Sequence, residues 1–169
     1  MITKDFYEEK GVKAKPNVKG TVTMWVMGFL AVASLVGAYW FTPSLMVFLA
    51  TGSVFIAMFR ERYVEYEYSF TNDEIEITKI INHKRRRTAI SFNMNNIKFI
   101  APEDSIRLSN EKEQNPQMRF TDYTAQEPAD KVYGFRLDLR GISTIILMEP
   151  TETMMEHLRN QIPSKIFND

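Results

Sequence analysis

The stretch "AYWFTPSLMV", residues 38–47, lies in the middle of the longest uncharged run of this 169-residue chain. Residues 20–59 contain no Asp, Glu, Lys, Arg or His, and Pro43 is the only proline among them. As a single helix the run would be about 60 Å long, roughly twice the hydrocarbon core of a bilayer. Broken near Pro43, it divides into residues 21–41 and 42–59, each about 30 Å long and each sufficient for one crossing. Pro43 suits the first turn of the second helix, where a missing N–H costs nothing, and Thr42 suits its N-cap. Tyr39, Trp40 and Phe41 gather at the turn, and Trp25 and Tyr63 lie towards the other ends, as amphipathic rings do at the two membrane surfaces. The reading is a transmembrane helical hairpin with a tight turn. A secretory signal has a much shorter apolar core, and soluble core helices seldom lose every charge over such a length.

The flanks set an orientation. Lys10, Lys13, Lys15 and Lys19 precede the first helix, Arg60 and Arg62 follow the second, and the turn between them carries no cation. Positive residues stay on the cytoplasmic side, so both termini are expected there, with residues 1–20 as a cytoplasmic tail. Small residues recur along the helices, Ala33 with Gly37, Ser34 with Ala38, and Ala50 with Ser53 and Ala57, which lets helix backbones approach closely in lipid. The simplest use of that spacing is packing of the two helices on each other; self-association is the sharper alternative. No ionisable group lies within the run, which argues against a proton relay or an ion path.

Beyond Arg62 the period of the pattern falls to two. In "YVEYEYSFT", Val64, Tyr66, Tyr68 and Phe70 alternate with Glu65, Glu67 and Ser69, as in a half-buried strand. After a turn at Asn72-Asp73, "EIEITKII" forms a second strand, "NHKRRRT" closes a hairpin and "AISFNM" returns. A short strand at residues 97–101 stops at Pro102. Residues 104–128 read as a polar, irregular loop with a weak strand around 118–123. "VYGFRLDL" and "ISTIILM" flank Arg140-Gly141, a hairpin signal. Thr151 or Thr153 caps a last helix reaching about Gln161, whose Met154, Met155, Leu158 and Ile162 share a face. The expected fold class is therefore α+β with a membrane anchor: six or seven antiparallel strands, as a small barrel or sandwich over residues 63–169, closed by a single C-terminal helix.

The formal net charge is zero and there are no cysteines. Neutral charge removes the electrostatic support that nucleic-acid binding needs, and disulfide or thiolate chemistry is absent. The strand hairpins followed by one helix resemble pleckstrin-homology-like (PH-like) domains. "YEYSFTNDEIEITKIINHKRRR", "IKFIAPED" and "IPSKIFND" are similar to a family of small bacterial membrane proteins in which a two-helix anchor precedes a PH-like part. That resemblance covers nearly the whole chain and implies a two-pass protein of the bacterial cytoplasmic membrane. Its motifs are structural and supply no catalytic residue.

Candidate functional residues are few. Lys84, Arg85, Arg86 and Arg87, preceded by His83, form the densest charge and are expected at a hairpin tip, either solvated, resting on anionic lipid headgroups or meeting a protein. His83 and His157 have no metal-ligand spacing, and His157 is expected at the surface of its helix. Glu65, Glu67, Glu74 and Glu76 form acidic rows on neighbouring strands, where ion pairs with residues such as Lys79 or Arg86 are a better account than acid–base chemistry. No Gly-rich phosphate loop is present, and no cofactor or metal is implied. The function expected is a membrane-anchored binding module for a protein or peptide, with loop 104–128 or an open sheet edge as its surface. The alternatives are a structural subunit assembled through the helical hairpin, or an enzyme with an unrecognised site.

Overall fold

The computed structural model describes residues 6–15, 17–128 and 130–167. Two antiparallel helices stand out from a two-sheet domain. Strand β1 (Glu8–Lys13) leads into α1 (Val18–Gly37) and α2 (Ser44–Glu61), and the chain then returns as β2 (Val64–Phe70). Next come β3 (Glu74–Ile81), β4 (Arg85–Asn93), β5 (Ile97–Pro102), α3 (Ile106–Gln114), β6 (Arg119–Asp122), β7 (Tyr133–Leu139), β8 (Ile142–Met148) and α4 (Glu152–Gln161).

Both helices are long and apolar enough to cross a membrane. Their contact faces are narrow: only Met24 and Ala31 of α1 are buried, and nothing in α2 is. Phe29, Val32, Val36, Met46, Leu49 and Ile56 are among the side chains left bare around the pair. Gly28, outside the small-residue spacing read from the sequence, sits against the Phe55 ring, while Ala33, Ala50, Ser53 and Ala57 of that spacing are exposed. Thr23, Ser34, Thr51 and Ser53 direct their hydroxyls back onto carbonyls one turn earlier, satisfying those groups without water. The boundaries differ from those expected. Asn17 caps α1 through the Gly20 N–H, so that helix starts three residues early. Residues between the helices form hydrogen-bonded turns, with Trp40 and Phe41 both donating to Gly37. Thr42 does not cap α2; Pro43 holds the N-cap position with no side-chain cap bond.

The first sheet runs β1-β2-β3-β4 and the second β5-β7-β8-β6. Of the expected barrel or sandwich of six or seven strands, the structure shows two open four-stranded sheets, eight strands in all among the described residues, and not a closed barrel. Tyr68, Phe70, Ile75, Ile77 and Phe92 of the first sheet meet Ile100, Phe135, Leu137 and Ile146 of the second, and Met154, Met155 and Leu158 of α4 complete the core. Thr151 caps α4 through the Met154 N–H. Arg140 and Gly141, both at positive φ, make the two-residue β7–β8 turn.

Two segments depart from the sequence reading. Residues 8–13, expected within a tail, are an edge strand paired with β2 from Glu8↔Phe70 to Lys13↔Glu65. Loop 104–128 contains α3, capped by Ser105 through the Leu108 N–H, and β6, which pairs in parallel with β8. The domain thus carries two helices, not one. Leu108 is the single buried residue of α3 and lies on Gly134; a Cβ there would come within 2.5 Å of it. One apolar anchor in nine residues leaves no helical period to read.

Candidate functional site at the base of the helices

Register places three chain crossings at one end of the first sheet. β1 and β2 are antiparallel neighbours, joined at their helix-side ends by Lys13↔Glu65 and by Ala14 N–H donating to the Val64 carbonyl at 3.0 Å. The helical hairpin therefore fills the place of the β1–β2 turn. Because Val64 pairs with Ile81, and the Asn82 N–H donates to the Tyr63 carbonyl at 2.8 Å, the β3–β4 turn lies at the same end. That turn contains Asn82 and His83, with φ of 52° and 54°, and is closed by Lys84 N–H on the Ile81 carbonyl. Residues 82–84 make the connection, and its two successive positive-φ residues suit the twist of the flanking strands.

The basic cluster consequently starts in the hairpin turn and continues along one strand. Lys84 closes the turn and Arg85, Arg86 and Arg87 run along β4 opposite Ile81, Ile80 and Lys79. All four are exposed. Arg86 bridges to Glu67 at 2.8 Å, and among the described residues Lys84, Arg85 and Arg87 have no ion-pair partner. The flanking cations also separate by role. Lys10 turns into the domain, donating to Asp130 at 2.6 Å and to the Glu149 carbonyl at 2.7 Å. Lys15 pairs with Asp122 at 2.7 Å. The Arg62 guanidinium lies 4.6 Å from the Phe59 ring centre and 4.7 Å from that of Tyr63. Lys13, Lys19 and Arg60 are exposed.

Between these cations and the helices is a cleft of about 840 Å³. Thr21, Met24 and Trp25 of α1 and Met58 of α2 form its helix side. Lys13, Lys15, Arg62 and Lys79 contribute positive charge, with Glu61 and Glu65 opposing them, and His83 also lines the cleft. Tyr66 also lines the cleft and meets Tyr123 edge-on at 5.0 Å. Burial pushes both phenols above their ordinary range, so they are hydrogen-bonding groups and not bases at neutral pH. Desolvation opposes ionisation of Asp122, but hydrogen bonds from Lys15 and Thr124 outweigh it and hold the carboxyl below its usual range.

The other candidates do not converge. His83 lies 3.4 Å from Glu65 at the helix-proximal end. His157 stacks on Phe6 at 3.9 Å and meets the Asn72 carbonyl, beside the β2–β3 turn at the opposite end. It is half-buried, not fully exposed as its helix position suggested. Glu76 accepts from Thr88 at 2.7 Å, Glu74 accepts from Ser91, and Glu67 holds Arg86, so the acidic rows are shared out among hydroxyls and cations. Among the described residues no group of three or more His, Cys, Asp or Glu side chains is placed to hold a metal. A smaller apolar hollow, about 260 Å³, lies under α3 between Lys112, Met118, Phe120 and Ile145.

Residues 4–168 match the bacterial PH-like domain family (DUF6106). The chain belongs to that family. No curated protein and no solved structure matches it. The matched span includes β1, in keeping with a PH-like domain that starts before the helices instead of after them.

Sequence reasoning missed a buried cluster in this PH-like domain. Glu149 is fully buried, accepting from Ala125 N–H at 2.6 Å beside the Lys10 ammonium at 3.5 Å. The Tyr68 hydroxyl, nearby, donates to the Tyr123 carbonyl at 2.7 Å, and burial first, then the Glu149 charge, raises its pKa. The available signal was a lone carboxylate ending the apolar run "IILMEP".

Proposed function

We propose that this protein is a two-pass membrane-anchored binding module, with the helical hairpin in the bilayer and its PH-like domain held against the cytoplasmic face. The observation that carries this reading is the hairpin's position between β1 and β2, bare of polar cover along its length. Contiguous apolar surface on that scale marks a membrane or protein contact. The hydroxyls of Thr23, Ser34, Thr51 and Ser53 are already satisfied within the helices, as hydrocarbon requires. Lys13, Lys15, Lys19, Arg60 and Arg62 flank the helix bases while the turn has no cation, which favours both termini on the cytoplasmic side. Lys84, Arg85 and Arg87, at the same end, then face an anionic leaflet that attracts each nearby cation by about 1 kcal/mol. The wide separation of the two histidines, and the dispersal of the carboxylates onto hydroxyls and cations, support binding over catalysis.

The chain has no cysteine, so single cysteines report topology directly. In sealed spheroplasts an impermeant maleimide should label Thr42→Cys and spare Asn110→Cys until the membrane is opened. Labelling of Asn110→Cys before opening would reverse the orientation, and recovery of the chain in the soluble fraction would remove the anchor. A second reading, a structural subunit assembled through its helices, is favoured by Ala33, Ala50, Ser53 and Ala57, all exposed on the outside of the pair. Crosslinking in native membranes separates a solitary anchor from that assembly.

A further inference from the structure

The cleft at the helix bases contains a lysine that the fold does not explain. Lys79 lies opposite Tyr66 on the strand face that carries Ile77 and Tyr68, where the alternation would place another apolar side chain. It is half-buried, and among the described residues neither it nor Lys13 has an ion-pair partner. Lysine is rarely held inward without a carboxylate, because its ammonium loses hydration there. Arg62 reaches the same space, lying against the Phe59 and Tyr63 rings and donating to the Tyr63 hydroxyl at 2.7 Å, and among the described residues it has no ion-pair partner. Against these stand Glu61 and Glu65, the second engaged by His83. The cleft thus offers uncompensated cations on its domain side and Met24, Trp25 and Met58 on its helix side.

We infer that this cleft receives the headgroup of one anionic phospholipid, its phosphate between Lys79, Lys13 and Arg62 and its acyl chains running up beside Trp25 and Met58. The inference rests on the anchored reading above and adds a defined site to it. Three features select this occupant over a soluble anion or an acidic peptide. The cleft opens at the ends of the apolar helices, where headgroups lie. Its wall changes from charged to apolar along the direction in which a lipid changes. Its volume of about 840 Å³ falls in the range of specific small-molecule sites, larger than a phosphate alone requires. Lipid in the surrounding leaflet reaches the cleft by lateral diffusion, with no need to leave the bilayer.

Trp25 and Trp40 are the only tryptophans, at opposite ends of the hairpin, so Trp40→Phe leaves Trp25 as a reporter on the cleft wall. The full chain is reconstituted in phosphatidylcholine vesicles containing a minor fraction of shallow-brominated lipid, either phosphatidylglycerol or phosphatidylcholine. Brominated phosphatidylglycerol should be enriched at Trp25 roughly fivefold over brominated phosphatidylcholine at low salt. Lys13→Gln with Lys79→Gln should bring that ratio close to one, whereas replacing Lys84, Arg85, Arg86 and Arg87 with Gln should preserve it. Soluble glycerol phosphate should leave the enrichment in place. Equal quenching by the two brominated lipids in the unsubstituted cleft overturns the site, as does loss of enrichment in the Lys84–Arg87 variant alone or on adding glycerol phosphate. Absence of quenching by either lipid removes the anchored reading itself, a different result from equal quenching.

Discussion

Deleting β1 tests where the PH-like domain begins. Residues 63–169, the boundary that the hydropathy pattern suggests, would lack the strand that covers one edge of β2. That fragment loses six cross-strand residue pairs and the burial of Val12, which is 7% exposed. A buried valine stabilises by about 2 kcal/mol, and each ladder hydrogen bond by roughly 0.5–1.5 kcal/mol net. The fragment also loses Lys10, leaving Glu149 buried on the Ala125 N–H with its nearby ammonium gone. Together the cost is on the order of 5 kcal/mol or more, comparable with the whole stability of a small domain. The matched control restores β1 without the helices: residues 6–15 joined to 63–167 by a short Gly/Asn turn, which the 3.0 Å bond between Ala14 and Val64 shows to be geometrically easy. Urea unfolding followed by circular dichroism should give a cooperative transition for the joined chain and little or none for the 63–169 fragment. Equal midpoints and slopes for the two would refute the assignment of β1 to the domain.

Gly134→Ala should cost about 1–3 kcal/mol by driving a Cβ into Leu108, and much less in a Leu108→Ala background, a coupling that denaturant unfolding of the double-mutant cycle reads directly. Asp122 has a depressed carboxyl pKa, so its stabilising contribution is complete at neutral pH and disappears as the pH falls below about 4; Asp122→Asn should flatten that acid limb in melts at graded pH. Tyr68 shifts the opposite way: its raised pKa makes the contribution complete below pH ~10 and lost above it. Tyr68→Phe should therefore flatten the alkaline limb and cost about 1 kcal/mol at neutral pH, since the Tyr123 carbonyl loses its donor.

The parts of this fold that were legible are those whose burial follows a simple period. The alternation in "YEYSF" and "EIEI" survives as β2 and β3, and Met154, Met155 and Leu158 face the core as their spacing required. β1 was illegible because only Val12 of "EEKGVK" is buried; an edge strand held through backbone bonds and one lysine leaves no apolar rhythm. For α3 the cause is similar, with Leu108 alone marking its inner side. The basic cluster was visible as charge, but its position depended on a short turn whose Asn82 and His83 are both at positive φ. Neither is glycine, so "NHKRRRT" read as a longer turn than residues 82–84, which the structure uses. The cleft was harder still, because Lys13, Arg62 and Lys79 come from three strand ends that only the β1–β2–β3 register brings together. Lys79 could have been flagged as the charge that takes the next place in the alternation after Ile75 and Ile77, a signal weaker than the four consecutive cations farther on.

Inserting the helices into a strand pair, as opposed to appending them, limits how the domain can move. Between β1 and α1 the chain has residues 14–17, and between α2 and β2 it has 62–63. Four extended residues reach about 14 Å and two about 7 Å, and the Ala14–Val64 bond ties the two connections together. A domain on a single flexible tether can present any face to a bilayer, and must select the binding orientation at an entropic cost. On the proposed topology this one presents the same end throughout: the cleft, the Asn82-His83 turn and the start of β4. Surface cations need then supply little free energy to orient it, and a headgroup site can be weak in intrinsic affinity yet occupied, because its ligand is a component of the surrounding leaflet at high effective concentration. Lys84 with the three arginines of β4, and the proposed phosphate contacts Lys13, Arg62 and Lys79 of the cleft, should accordingly differ in salt dependence. Contacts of exposed Lys84, Arg85 and Arg87 fade within a Debye length of about 8 Å at physiological ionic strength, whereas a phosphate enclosed with Lys79 is screened much less.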